Sequence, residues 1–170
     1  MSWENTLYMV ENYSKVIDDY FDKMEKEKTF IETYNIPEPT TKTSYKGFSL
    51  DLLYLGIKEY TFYVDHVKYT TYYWNDYYFL EPRIVELTPE QYVKYTYQIE
   101  NEEFTNMNNV FKRPDIINEV VEEYKDQINT DQEKFNMPYL EFVEGIFDGR
   151  HRALGAYKAG LTGIPCVIFI

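Results

Sequence analysis

Apolar positions along this chain change their period, and each change marks an element. Trp3, Leu7, Val10, Ile17, Tyr20, Phe21 and Met24 recur at the spacing of one helix face, which predicts an amphipathic helix over residues 3–28 with a charged outer side. Pro37 and Pro39 then fix two φ angles and force the preceding residues into extended backbone, so residues 35–41 read as a linker. From Ile57 the pattern becomes β-branched and aromatic. Lys58–Val64 and Val67–Tyr73 predict a hairpin turned at Asp65-His66, with further strands at Tyr77–Leu80, after a turn at Trp74-Asn75-Asp76, and at Arg83–Leu87. Thr88-Pro89-Glu90-Gln91 carries the start signals of a helix that runs to about Ile99: a capping threonine, a proline at the first helical position and a glutamine able to return the bond.

The second half continues in the same way. Asn101–Asn109 is polar and reads as a loop. Pro114 opens a helix with Ile116, Ile117, Val120, Val121 and Tyr124 on its apolar face, and a loop follows at residues 129–136. Tyr139–Glu144 alternates apolar and polar residues as a strand does. Arg150–Ala159 favours a helix that Gly160 can end, and Ile164–Ile170 is a continuous apolar strand, expected to lie parallel to Tyr139–Glu144. The expected fold is α+β: a small mixed sheet carrying a crossover helix over residues 81–170, with an N-terminal helix and Tyr-rich β-hairpin extension over residues 1–80, together one compact unit.

Composition narrows the function. Seventeen Lys and Arg face 29 Asp and Glu, a formal net charge of −12 that repels nucleic acid and anionic membranes at long range. Cys166 is the single cysteine, so neither an intramolecular disulfide nor a four-cysteine zinc site can form within one chain. Charges interrupt the N-terminal stretch as they would not in a signal peptide, and no apolar run is long enough to span a bilayer. A reducing cytoplasm is the expected compartment.

The chemistry concentrates in Asp148-Gly149-Arg150-His151-Arg152. A helix beginning near Arg150 turns its free N–H groups and positive dipole end towards the preceding turn, and Gly149 allows an anion close to that backbone. Arg150 and Arg152 offer guanidinium forks that can grip phosphate oxygens, although surface ion pairs with the abundant acids would use the same groups. His151 suits either a structural hydrogen bond that holds the turn or contact with phosphate, as a cation or as a neutral proton carrier. Asp148 can cap the helix, orient Arg152, hold Mg²⁺ or act as a general base. Glu86 and Glu144 are candidates for a second carboxylate, since Mg²⁺ commonly uses one or two and keeps several waters. Cys166 reads as core and His66 as structural or exposed.

The string Asp148–Ala153, with Ala156–Leu161 and Ile164-Pro165, resembles the signature segment of the ParB/sulfiredoxin superfamily, which includes ParB nucleotide-binding domains, sulfiredoxins and ADP-dependent free serine kinases. The close match spans about a fifth of the chain, and Arg83–Tyr95 resembles the early strand and helix of that domain more loosely. The resemblance implies that residues 148–152 cradle the phosphates of a nucleotide such as ATP, ADP or CTP. Sulfiredoxins carry a reactive cysteine where Arg150 stands, which disfavours thiol-based reduction. ParB proteins continue into a helix-turn-helix, whereas this sequence ends at Ile170, which disfavours direct DNA binding. The serine kinases have histidine at the position of Arg150 but agree at Asp148, Gly149, His151 and Arg152, making phosphotransfer, or nucleotide hydrolysis, the nearest enzymatic analogy. The alternative is a non-catalytic protein whose acidic, tyrosine-rich surface, including Tyr72, Tyr73 and Trp74, binds a basic protein partner.

Overall fold

A computed structural model describes residues 3–75 and 77–170, with side chains from Ser14 onward. The side chains of Trp3, Leu7 and Val10, and Asp76 in the expected turn, lie outside the described residues. In chain order the elements are α1 (Trp3–Tyr34), β1 (Phe48–Ser49), a 3-10 turn at Leu53–Leu55, β2 (Lys58–Val64), β3 (Val67–Trp74), β4 (Tyr77–Phe79), β5 (Pro82–Leu87), α2 (Pro89–Glu100), α3 (Met107–Phe111), α4 (Asn118–Thr130), β6 (Phe135–Asn136), β7 (Tyr139–Glu141), β8 (Ile146–Asp148), α5 (Arg150–Lys158) and β9 (Ile164–Phe169). The fold is mixed α+β, with an N-terminal helix and a strand hairpin. Among the described residues no helix is long and apolar enough to cross a membrane.

The chain divides into two compact units. The first comprises the residues up to Ile36, Leu55–Pro82 and Ile170; the second comprises Pro37–Tyr54 and Arg83–Phe169, so the segment expected to extend the hairpin part belongs with the second unit instead. In the first unit β2, β3 and β4 form an antiparallel sheet. Asp65 and His66 take φ of 52° and 67°, the two left-handed residues that a two-residue hairpin turn needs to match strand twist. Tyr20 and Phe21 of α1 pack edge-on against Phe62 and Tyr69 of the sheet. Helix α1 runs six residues beyond the expected Lys28, because Phe30, Ile31 and Tyr34 continue its half-buried face.

In the second unit the strand order is β5-β9-β7-β8, with β7 and β9 parallel as expected and β8 antiparallel to β7. All six residues of β9 are buried, as a strand covered on both faces requires. Three expectations are corrected here. Strand β7 stops at Glu141 instead of Glu144, because the buried Glu141 carboxylate accepts the N–H groups of Val143 and Glu144, both at 2.7 Å, and folds the chain back into β8. The Asn-rich loop contains α3, which Asn106 caps by accepting the Asn109 N–H and which Met107 and Val110 anchor in the core. The following helix starts at Asn118, not Pro114: residues 113–116 form a turn closed by the Ile116 N–H on the Arg113 carbonyl, leaving Ile116 buried and Ile117 57% exposed before the helix begins.

Candidate functional site

Helix α5 is held by what its sequence buries. Ala153, Leu154 and Ala156 are fully inside, and Gly155 lets α4 approach so closely that an added Cβ would sit 2.6 Å from the Cβ of Tyr124. At its start Gly149 has φ of 125°, and a Cβ there would fall 2.5 Å from the Pro138 Cβ and 2.8 Å from its Cα. Conformation and space both demand glycine. The buried Tyr92 hydroxyl, from α2, shares its proton between the carbonyls of Asp148 at 2.9 Å and Tyr139 at 3.2 Å, tying the ends of β8 and β7 together below this turn. Gly149 itself is the N-cap, and no described side chain caps α5. Asp148 therefore does not take the capping role, and the first-turn N–H groups, which have no intrahelical acceptors, keep capacity for an outside partner.

The two arginines diverge. Arg150 is 6% exposed; its Nε and Nη2 donate to Thr96 Oγ1 at 3.1 and 2.9 Å, Nη2 pairs with Glu100 at 2.8 Å, and Nη1 lies 3.6 Å from Asp115. The Tyr97 and Phe147 rings lie 5.1 and 4.8 Å from its guanidinium carbon. Those donors are committed to the protein's own acceptors, so Arg150 joins α5 to α2 and is not placed to grip a phosphate. Arg113 extends the same network, ion-paired to Glu100, Glu102 and Asp115; the hydrogen bond to Asp115 first, then Tyr97 and Glu100, hold its guanidinium more basic than usual against burial.

Arg152 is the opposite case. Its side chain is 13% exposed, and its Nε and Nη2 are buried without a hydrogen-bond partner among the described residues. The nearest carboxylate is Asp148, 68% exposed and 3.5 Å from Nη2, close enough for an ion pair but not for a hydrogen bond of good geometry. Nη2 would lie 3.0 Å from a Cβ added at Gly149, so this cation adjoins the uncapped helix start. Leaving a buried donor unmatched costs about 1–3 kcal/mol, more for a charged group. The positive charge of Arg152 is felt by Tyr54, Tyr92, Tyr139 and Cys166, whose hydroxyls and thiol burial pushes upward and Arg152 draws back down.

His151 accepts the Ile117 N–H through Nε2 at 3.0 Å, so its neutral form carries the proton on Nδ1. Burial is the main cause of its lowered pKa; Arg150 adds to the lowering, and Asp115 and Asp148 oppose it. This is the structural bond that holds a turn, joining α5 to the start of α4.

The other candidate carboxylates stand apart. Glu86 is ion-paired to Lys42 at 2.6 Å, and its pKa is lowered first by that hydrogen bond, against burial, and then by Tyr45. It packs at Gly163, whose added Cβ would lie 2.7 Å from its Cδ. Gly163 precedes by four residues Val167, the β9 partner of Tyr139, which in turn pairs with Asp148. Gly163, beside which Glu86 packs, is thus roughly 13 Å along the sheet from the level of Asp148, at ~3.3 Å per residue. Glu144 lies in the β7–β8 turn, at the opposite end of β8 from Asp148. The expected Mg²⁺ pair of Asp148 and Glu144 is not brought together, and no described group of three His, Cys, Asp or Glu side chains could hold a metal.

Several contributors gave no signal in sequence. Tyr54 donates its hydroxyl to the Met137 carbonyl, Pro138 floors Gly149, and Thr96 receives Arg150. The expected aromatic surface is largely internal to its own sheet: Tyr72 stacks on Phe79, Tyr73 lies tilted against Tyr78 and Trp74 is buried, whereas Tyr63 is 61% exposed. His66 is exposed and Cys166 is a fully buried thiol. Compared with family models, curated proteins and solved structures, the chain matches none of them.

Proposed function

We propose that the turn and helix start at residues 148–152 bind the phosphate of a nucleotide or another phosphorylated small molecule, with Arg152 as the principal ligand. One observation carries this reading: two buried guanidinium nitrogens, without hydrogen-bond partners among the described residues, lie beside a helix start that no described side chain caps. A phosphate would supply acceptors to both kinds of donor at once, and the helix dipole favours its charge. Gly149 supplies the positive φ and the close fit on Pro138 with which the helix starts, while Arg150 and His151 tie α5 to α2 and α4. The reading also assigns the second unit to the ParB/sulfiredoxin type, on the Asp148–Ala153 string and the order of β7, α5 and β9. A catalytic extension, phosphotransfer or hydrolysis, would use Asp148 as base or Mg²⁺ ligand, and turnover of bound nucleotide decides it. The competing reading, capture of a basic protein, has less support because most of the hairpin's aromatic surface is packed against its neighbours.

The test is calorimetric titration with ATP, ADP and CTP, with and without Mg²⁺, on the wild type and Arg152→Gln. Micromolar binding that the substitution abolishes is the expected result. Failure of all three nucleotides and of inorganic phosphate to bind the folded wild type would overturn the reading.

A further inference from the structure

Asp148 stands beside Arg152 in a way that phosphate binding alone does not explain. A carboxylate placed to neutralise a buried guanidinium closes on it with short, often bidentate hydrogen bonds. Here the carboxylate stays 3.5 Å from Nη2 with 68% of its side chain exposed, and neither Nε nor Nη2 gains a hydrogen bond from any described residue. Asp148 immediately precedes the glycine N-cap, four residues before Arg152, so its charge lies at the edge of the approach that a ligand to Arg152 would use.

We infer that Asp148 is an internal competing anion, which restricts the Arg152 site to ligands carrying at least two negative charges: phosphate monoesters and nucleotide terminal phosphates, not singly charged phosphodiesters. The inference rests on the phosphate-binding reading above. A monoanion that reaches Arg152 exchanges one negative partner for another and loses its own freedom of motion, with no net electrostatic gain. A dianion gains twice the attraction of the guanidinium and helix start, while the loss of the Asp148 pair is the same for both. The Asp148 side chain, 68% exposed, can turn into solvent when displaced. At this separation, removing one tethered negative charge strengthens anion binding by about tenfold under moderate screening.

The test compares AMP, held at a pH where its phosphate is a dianion, with cyclic 3′,5′-AMP, which carries one charge and the same base. Titrations use the wild type, Asp148→Asn and Arg152→Gln, each with and without Mg²⁺, with circular dichroism to confirm folding. The wild type is expected to bind AMP and not cyclic AMP, and Asp148→Asn to tighten AMP about tenfold and make cyclic AMP binding measurable. Unchanged or weakened AMP affinity in Asp148→Asn overturns the inference and leaves phosphate binding standing. Weakening confined to the Mg²⁺ titrations also overturns it, by making Asp148 a metal ligand. Absence of AMP binding in both the wild type and Asp148→Asn, or undiminished binding in Arg152→Gln, overturns the phosphate-binding reading itself.

Discussion

Two arginines separated by a single residue should respond to the same substitution with opposite signs. Replacing Arg152 with methionine removes a guanidinium with two unmatched buried nitrogens, a defect worth about 1–3 kcal/mol, and sacrifices an ion pair to the exposed Asp148 worth about 0–1 kcal/mol. The net expectation is a gain of about 1 kcal/mol, which at this chain length raises Tm by about 2–4 °C. Replacing Arg150 with methionine breaks a buried network that binds Thr96 and Glu100 and removes a guanidinium that lies over the Tyr97 and Phe147 rings. Loss of one partner of a buried pair costs about 3–5 kcal/mol, and the partial exposure of Glu100 places this case near 3, a fall of about 6–12 °C. Urea denaturation and thermal melts decide the matter. They must be run in phosphate-free buffer, because a bound anion would stabilise the wild type and disguise the gain. A loss of more than 1 kcal/mol in Arg152→Met would show that Arg152 has a structural partner and would remove the reason for calling its site an anion site.

Gly155→Ala should cost about 1–3 kcal/mol in urea unfolding, since its Cβ must displace the Tyr124 Cβ at 2.6 Å and crowd the α4 backbone; an unchanged midpoint would mean that α4 and α5 are not in close contact. Gly149→Ala should destabilise the fold and abolish nucleotide binding, because φ of 125° and the Pro138 contact both exclude a side chain; thermal shift with and without ADP reads both effects. Burial lowers the His151 pKa, so the stability that this residue contributes is present above its unfolded pKa of about 6.5 and is lost as pH falls through the lower folded value, when protonated Nε2 can no longer accept the Ile117 N–H. His151→Asn should therefore reduce the slope of stability against pH below about 6.5, and an unaltered slope would exclude His151 as its source.

Elements specified by local chemistry could be read from sequence, whereas those decided by distant partners could not. The capping box of α2 is complete: Gln91 N–H donates to Thr88 Oγ1 at 3.0 Å, and Thr88 N–H donates to Gln91 Oε1 at 2.8 Å. The β2–β3 hairpin turns at Asp65-His66 as the pattern predicts. Alternation carries β7 past Glu141 because it treats that residue as solvent-facing, whereas its carboxylate is buried and supplies the acceptors of the turn. Pro114 is a sound helix-start signal, but Arg113 and Asp115 on either side of it are drawn into one ion pair at 2.8 Å, and the helix waits until Asn118. Nothing in the string near Asn106 announces that Met107 and Val110 will be buried.

At the candidate site, the sequence singles out one segment and treats its two arginines as equivalent. Helical geometry argues otherwise, since residues two apart on an α-helix point about 200° away from each other and cannot both meet one small anion at the helix start. Which of the two faces the site depends on residues remote in sequence. Thr96 and Glu100 on α2 claim Arg150, whereas Pro138 and Gly149 leave Arg152 beside the helix terminus with no acceptor among the described residues for its buried nitrogens. The commitment of Arg150 helps to fix the rotation of α5, together with the buried Ala153, Leu154 and Ala156 and the His151 bond to Ile117, and with that rotation fixed, Arg152 is held in its underpaired position. A helix free to turn would satisfy either guanidinium in solvent. The structural arginine therefore sustains the unsatisfied state of its neighbour, and weakening Arg150 should relax the candidate phosphate site even though Arg150 itself never touches the ligand.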